Sequence, residues 1–212
     1  MTMHKAIEVS QLIYRETQAF YAELAPDHGN LGFQILYGPP VTSPPILFIG
    51  YQPGGGLADY EMELANGAQD GWPNVCEYAT AQWRLAKHMQ NMFGAETLRK
   101  CVGLNAIFIR SPTVERFRKS VDAKTRKIIT AFCLPRAEQI IQAIQPQRIV
   151  SIGFETLSLF GKTIPDIKNE KGRTLTRTGQ IAGEQAIATL HLSGAHISTV
   201  DRERIRDRIA AI

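Results

Sequence analysis

Hydrophobic positions along the chain follow two patterns, short apolar runs and longer stretches with helical spacing. The N-terminal segment from Lys5 to Leu24 carries apolar residues at helical spacing and predicts the first helix. Four short, nearly continuous apolar runs predict buried strands. They are the segments 46–49, 101–109, 148–152 and 186–190. Short apolar strands that alternate with helices are typical of a parallel sheet covered on both faces.

The segments between these runs supply the covering helices. We predict helices over 79–93, 122–144, 154–160 and 200–212. Ser198 or Thr199 can cap the last of them, and Pro135 is expected to kink or split the second. The predicted fold class is therefore α/β, a three-layer α/β/α arrangement around a central, mainly parallel sheet of four strands.

Two connections have no strong pattern. The segment 52–72 is long and glycine-rich, and loops of that length are usually functional or mobile. The polar segment 163–183 predicts a loop or a hairpin. The sequence has no internal repeat and no low-complexity tract, so all 212 residues are expected to form one domain.

Composition excludes several classes of protein. No stretch is long and apolar enough to span a bilayer, and the N-terminus lacks an apolar signal core, so we expect a cytoplasmic protein with no membrane partner. The three cysteines are scattered without the spacing of a zinc site or a disulfide framework, which fits a reducing compartment. The net charge of +4 permits a polyanionic partner without requiring one.

Polar residues stand in or directly after three of the predicted strands, where open α/β sheets build their sites. Asn105 interrupts an apolar run, so its amide is either satisfied by the backbone at a bend or faces a pocket. His191 follows a strand directly, and an imidazole can stabilise a developing oxyanion. Gln52 follows the first strand, and its amide can hold a water or a polar ligand edge.

Residues near these three polar side chains argue against two kinds of site, a dinucleotide-binding turn and a serine hydrolase. The turn 50–54 has glycines that let a ligand approach the backbone, but it is not the dinucleotide-binding fingerprint. Ser193 lacks the surroundings of a hydrolase nucleophile, because no Gly-x-Ser-x-Gly motif is present. The basic run 114–127 is either a solvated helix face or a phosphate-contacting patch.

Four segments, in order and with matching spacing, together resemble the uracil-DNA glycosylase superfamily. Gly50-Tyr-Gln-Pro-Gly54 resembles the first motif, and His191-Leu-Ser-Gly194 is similar to the second, His-Pro-Ser. Segment 104–112 is similar to the strand whose Asn reads the base, and segment 149–161 to a strand, glycine and short helix of the bacterial branches. The matched region runs from about Ile46 to Ile197.

The resemblance implies a hydrolase that cuts the N-glycosidic bond of a deaminated or damaged base in DNA, with uracil the leading candidate. The target nucleotide would be flipped into a pocket. By resemblance, Asn105 would bind the base edge and His191 would stabilise negative charge on uracil O2. Gln52 would take the place of the Asp or Asn that positions or activates water. The resemblance implies no metal and no cofactor, and we expect a monomer whose partner is DNA.

The family also stacks the base on an aromatic ring and holds the DNA phosphates near both motifs. Tyr51 or Trp72 would supply that ring, because Asn74 stands where a Phe is common. The basic segment 110–127 would flank the strand. The residues expected to contact phosphates are Gly54, Gly55, Arg110, Ser111, Ser193 and Gly194.

Several positions depart from the family pattern and keep two alternatives open. Gln52 cannot act as a base, and Leu192 replaces the usual Pro. Ala195 stands where many members place a bulky wedge, although Ile197 is a possible substitute. Three cysteines at unmatched positions argue against an iron–sulfur cluster. The alternatives are a nucleic-acid-binding module with weak or no activity, and a hydrolase of small nucleosides or nucleotides.

Overall fold

The structure, a computed structural model, describes residues 2–24, 31–65, 71–193 and 196–212. Helices and strands alternate along most of this length. The helices are α1 (Thr2–Leu24), α2 (Leu57–Ala65), α3 (Glu77–Thr80), α4 (Arg84–Phe93), α5 (Ala95–Leu98), α6 (Val114–Ser120), α7 (Ala123–Ile144), α8 (Phe154–Ser158) and α9 (Thr199–Ala210). The strands are β1 (Leu47–Gly50), β2 (Val102–Asn105), β3 (Ile149–Ile152), β4 (Ile164–Pro165), β5 (Thr176–Ile181) and β6 (Glu184–Thr189).

The sheet is mostly parallel and, within the described part of the chain, has six strands in the order β2-β1-β3-β6-β5-β4. The first four strands in this order pair in parallel. They correspond to the four strands that the apolar runs predicted. The prediction of a four-stranded sheet was nevertheless wrong, because β5 and β4 extend it with antiparallel pairing.

The two additional strands come from the polar segment that predicted a loop or a hairpin. Strand β5 pairs with the whole of β6 through a tight turn at Ala182 and Gly183, both of which have positive φ angles. Only the end residues of β5 are buried, and β4 is exposed. An antiparallel strand that is largely exposed to water does not need a continuous run of apolar residues. The hydrophobic pattern alone therefore does not reveal β4 or β5.

Hydrophobic cores lie on both faces of the sheet. In β1, Leu47 and Ile49 belong to the core that includes residues of α1 and α7. Phe48 points the other way, into the core that includes residues of α4 and α9. Successive side chains of a strand alternate between the two faces, so both faces of β1 are covered by helices. The covered parallel sheet confirms the predicted α/β class.

Several helical regions differ from the sequence prediction. The helix predicted over 79–93 is divided into α3 and α4, and Gln90 Nε2 donates to the carbonyls of Tyr78 and Ala81 at 3.1 and 3.0 Å. Helix α7 remains one helix although Pro135 lies inside it. Helix α2 lies in the segment that predicted an irregular loop.

None of the helices in the described ranges is long and apolar enough to cross a membrane.

Candidate active site

The connections that follow β1 and β2 run side by side beyond the carboxyl edge of the sheet. Gly50 and Asn105 are partners at the ends of the two strands, and Ala106 N donates to Gly50 O at 2.9 Å. Farther along, Ser111 N donates to Pro53 O at 3.1 Å. The side chain of Gln52 joins the same two connections, because its Nε2 donates to Ser111 O at 3.2 Å.

A cavity of about 560 Å³ lies at this edge of the sheet, within the usual size range of small-ligand sites. It brings together residues that the sequence predicted from three separate strand ends. The predicted site residues that line it are Gln52, Gly54, Gly55, Arg110, Ser111, His191 and Ser193. The lining residues that sequence reasoning missed are Gln34, Tyr37, Asp59, Tyr78, Trp83, Leu85, Pro112, Thr113 and Val114.

His191 lies beside the end of β3, where α8 begins. Gly153 precedes α8 with a φ of +91°, and a Cβ built on it would lie 3.5 Å from His191 Cδ2. The Nδ1 atom of His191 is hydrogen-bonded to Ser193 Oγ at 2.9 Å. When Ser193 is the donor, the neutral imidazole carries its proton on Nε2 and can donate it to an anion.

His191 is an exposed residue, but its ring is partly shielded from water by its neighbours. This partial desolvation lowers the imidazole pKa below its ordinary value of 6.5. A lowered pKa keeps the ring neutral at physiological pH. The neutral ring can therefore donate a hydrogen bond without carrying a fixed positive charge.

The lowered pKa of His191 predicts a loss of stability in acid. The unfolded chain gains this proton near pH 6.5, and the folded chain gains it only at lower pH, so the unfolded state binds more protons between the two values. The free energy of unfolding is therefore expected to fall as the pH drops below about 6.5. Urea unfolding of wild type and His191→Gln at neutral pH and about two units lower measures this loss, which should be smaller in the variant. An equal loss of unfolding free energy in wild type and in His191→Gln would contradict this prediction.

The amide of Asn105 is fully buried and does not line the cavity. Its Nδ2 donates to Gln34 O at 3.1 Å, which sets the orientation of the amide. Its Oδ1 has no hydrogen-bond partner among the described residues. Side-chain direction alternates along β2, so Asn105 faces the same side as Gly103, whose missing side chain leaves room for Tyr37 and Tyr78. Both tyrosines line the cavity.

Arg110 forms a buried bridge beneath one wall of the cavity. It is 4% exposed, and its Nη1 donates to Gly54 O at 2.7 Å. Its Nη2 donates to Gln34 Oε1 at 3.1 Å, and Gln34 Nε2 in turn donates to Glu77 Oε2 at 3.0 Å. Arg110, which was predicted to contact a phosphate, thus holds the glycine turn 50–54 in place.

Gln34 could not be found from the sequence. It lies outside every motif, in the short apolar run 33–37, to which the sequence prediction assigned no element. Isolated bridges of Phe33 with Ile109 and of Leu36 with Leu104 bring its segment alongside β2. These are long-range backbone contacts, and the local sequence does not show that they bring the Gln34 side chain to the cavity.

The aromatic rings of the cavity differ from those that the resemblance suggested. Trp72 is 9% exposed and belongs to the core that includes residues of α1. Tyr51 lines two neighbouring depressions instead of the cavity, and Arg118 Cζ lies 5.7 Å from its ring centroid. The rings within the cavity belong to Tyr37, Tyr78 and Trp83, and Trp83 is 40% exposed.

The depressions beside Tyr51 carry positive charge. Their volumes are about 420 and 560 Å³, and Arg118 lines both. Arg118 also pairs with Glu155 at 3.1 Å, so part of its charge is neutralised. The other cationic lining residues are Arg126, Lys127 and Arg177.

The remaining expectations concern phosphate contacts, metals and cysteines. Gly194 and Ala195 lie outside the described residues. Across the described ranges, no group of three His, Cys, Asp or Glu side chains could hold a metal ion. Cys76, Cys101 and Cys133 are free and buried, and burial raises their thiol pKa values to about 11, 12 and 12.

Comparison with models of known protein families gives no match, and comparison with curated protein sequences gives none either.

Proposed function

We propose that this chain is a DNA glycosylase-like hydrolase that removes a deaminated or damaged base, with uracil the first candidate. The fold accompanying this proposal is a single three-layer α/β/α domain of the uracil-DNA glycosylase superfamily. The observation that carries it is the meeting of His191, Ser193 and Gln52 in one cavity, although they lie up to 141 positions apart in the sequence. These are the residues that the two motifs of the resemblance single out.

The cavity supports a division of roles during hydrolysis. As the bond between base and sugar breaks, its electron pair moves onto the departing base. The N–H of the neutral His191 ring would donate to the developing negative charge. Gln52 has its Nε2 bound to Ser111 O, whereas its Oε1 is buried without a partner among the described residues, so the amide would have to turn toward the cavity to accept from a water.

The basic depressions that Tyr51 lines support DNA as the partner. Tyr51 lines both depressions and precedes Gln52, which lines the cavity. The cationic side chains of these depressions would contact phosphates of the strand, and phosphate contacts make binding salt-dependent. We therefore expect the affinity for oligonucleotides to fall as the salt concentration rises.

The test is base release from oligonucleotides that contain a single uracil, hypoxanthine or xanthine, both single- and double-stranded. Strand cleavage after alkali treatment would report an abasic site and establish both the activity and the base preference. Salt-dependent binding without cleavage at high protein concentration would favour the binding module. Release of bases from free nucleosides, without salt-dependent DNA affinity, would favour the small-molecule hydrolase.

The two tryptophans are expected to respond differently to replacement by alanine. Trp83→Ala should weaken binding of lesion-containing DNA by about tenfold, because a stacked base contributes about 1–3 kcal/mol. Trp72→Ala should instead lower the free energy of unfolding by about 3 kcal/mol, because it leaves a cavity in the core. Fluorescence titration and urea unfolding of both variants measure the two effects. If Trp72→Ala instead weakened DNA binding and Trp83→Ala lowered the free energy of unfolding, Trp72 would be the stacking residue.

A further inference from the structure

A proton acceptor would speed the proposed reaction, and the two motifs do not supply one. Water attacks the sugar and loses a proton, so a base speeds this step. The amide oxygen of Gln52 can orient a water but is not basic enough to take its proton. His191 is engaged with the departing base in the proposed mechanism. A carboxylate of the same cavity would supply such an acceptor.

Asp59 is the carboxylate among the described residues that line the cavity. It belongs to the first turn of α2, which lies in the segment directly after the first motif. Glu77, another acid connected to the lining, already accepts from Gln34 Nε2 at 3.0 Å and does not line the cavity itself. No pattern in the sequence distinguishes Asp59 from its acidic neighbours in the segment.

The turn before α2 folds the Asp59 side chain back over the glycines. Asp59 Oδ2 accepts from Gly56 N at 2.8 Å. Gly55 has a φ of +83°, and a Cβ built on it would lie only 2.5 Å from Asp59 Oδ2. The turn therefore accommodates this carboxylate only with glycine at position 55. Arg110 supports the same turn from below through Gly54 O.

We infer that Asp59 is the general base of the proposed hydrolysis, in the role that an Asp of the first motif would fill if Gln52 were acidic. The inference rests on the proposed function and deepens it. The oxygen of a water bound near Gln52 forms the new bond to the sugar carbon. The bond between that carbon and the base nitrogen breaks, and its electrons leave with the base. The water proton passes to the Asp59 carboxylate and then returns to the base or to solvent.

The hydrogen bond to Gly56 N also gives Asp59 a structural role at the start of α2, and the experiment must separate the two roles. Asp59→Asn keeps an oxygen that can accept from Gly56 N but removes the basic group. Asp59→Glu keeps the carboxylate. Glu61→Gln is the matched control, because Glu61 is an exposed acid of the same helix and does not line the cavity.

The measurement is the single-turnover rate of base release across a pH series, on the lesion that wild type cleaves best. We expect Asp59→Asn to be about 100-fold slower than wild type and to lose the acidic limb of its pH–rate profile. Asp59→Glu should retain that limb, and Glu61→Gln should match wild type in both respects. Thermal unfolding of each variant verifies that the fold is kept.

An Asp59→Asn variant that matches the wild-type rate and keeps its acidic limb would overturn the inference, whatever the activity of Asp59→Glu. A wild-type protein that releases no base from any lesion would instead refute the proposed function. The two failures are therefore distinguishable.

Discussion

Replacing His191 with alanine is expected to slow base release by about a thousandfold, the loss typical of one donor to a developing oxyanion. The side chain of His191 makes one hydrogen bond, to Ser193 Oγ, and the residue is exposed, so we expect the fold to be kept without it. The free energy of unfolding at neutral pH should therefore change by less than about 0.5 kcal/mol. Single-turnover kinetics and urea unfolding of the same preparation measure both quantities.

The matched control is His196→Ala. His196 is an exposed histidine in the same connection and does not line the cavity. Its backbone oxygen, which accepts from Arg173 at 2.7 Å, is retained in the variant. A His191→Ala protein that releases base at the wild-type rate would remove His191 from the reaction. A loss of activity in the His196 variant as large as that in the His191 variant would show that the connection matters only as a whole.

Replacing Arg110 with methionine is expected to lower the free energy of unfolding by about 3 kcal/mol, because hydrogen bonds from charged groups contribute about 1.5–3 kcal/mol each. Arg110 is buried and donates to both Gly54 O and Gln34 Oε1. Methionine fills a similar volume but leaves both acceptors without this donor. Base release should fall as well, because the glycine turn that carries Gln52 loses its support.

Arg110→Lys should restore only part of this stability, since a single ammonium group cannot reproduce the planar fork of a guanidinium. The control is Arg116→Met, which removes an exposed arginine of α6 and should change the free energy of unfolding by less than about 0.5 kcal/mol. Urea unfolding measures all three variants. An Arg110→Met protein as stable as wild type would show that the buried bridge contributes nothing.

Much of the site could be predicted because it lies at the ends of strands with strong apolar patterns. The apolar runs around β1, β2 and β6 predicted buried parallel strands, and the carboxyl ends of parallel strands share one edge of a sheet. Gln52, Ser111 and His191 follow these strands, and all three line one cavity. Their roles in catalysis stay predictions, whereas their proximity follows from the topology.

Other members of the site could not be predicted because their position depends on contacts between distant segments. Gln34 reaches the cavity through bridges to the end of β2 and beyond. Asp59 lies at the cavity because the glycine turn before α2 folds its side chain back. Trp83 lies at the cavity because the predicted helix 79–93 is interrupted before Arg84. Trp72, chosen from a motif, has its ring in the core.

The sequence by itself determined the α/β class and the four parallel strands, because hydrophobic periodicity is a local property of each segment. The tertiary structure alone decided the two antiparallel strands, whose polar residues acquire strand geometry only by pairing with β6. It also decided which amide, carboxylate and aromatic side chains share the cavity with His191. Such neighbours are set by the packing of segments far apart in the chain, where hydrogen bonds and burial act without any local periodic signal.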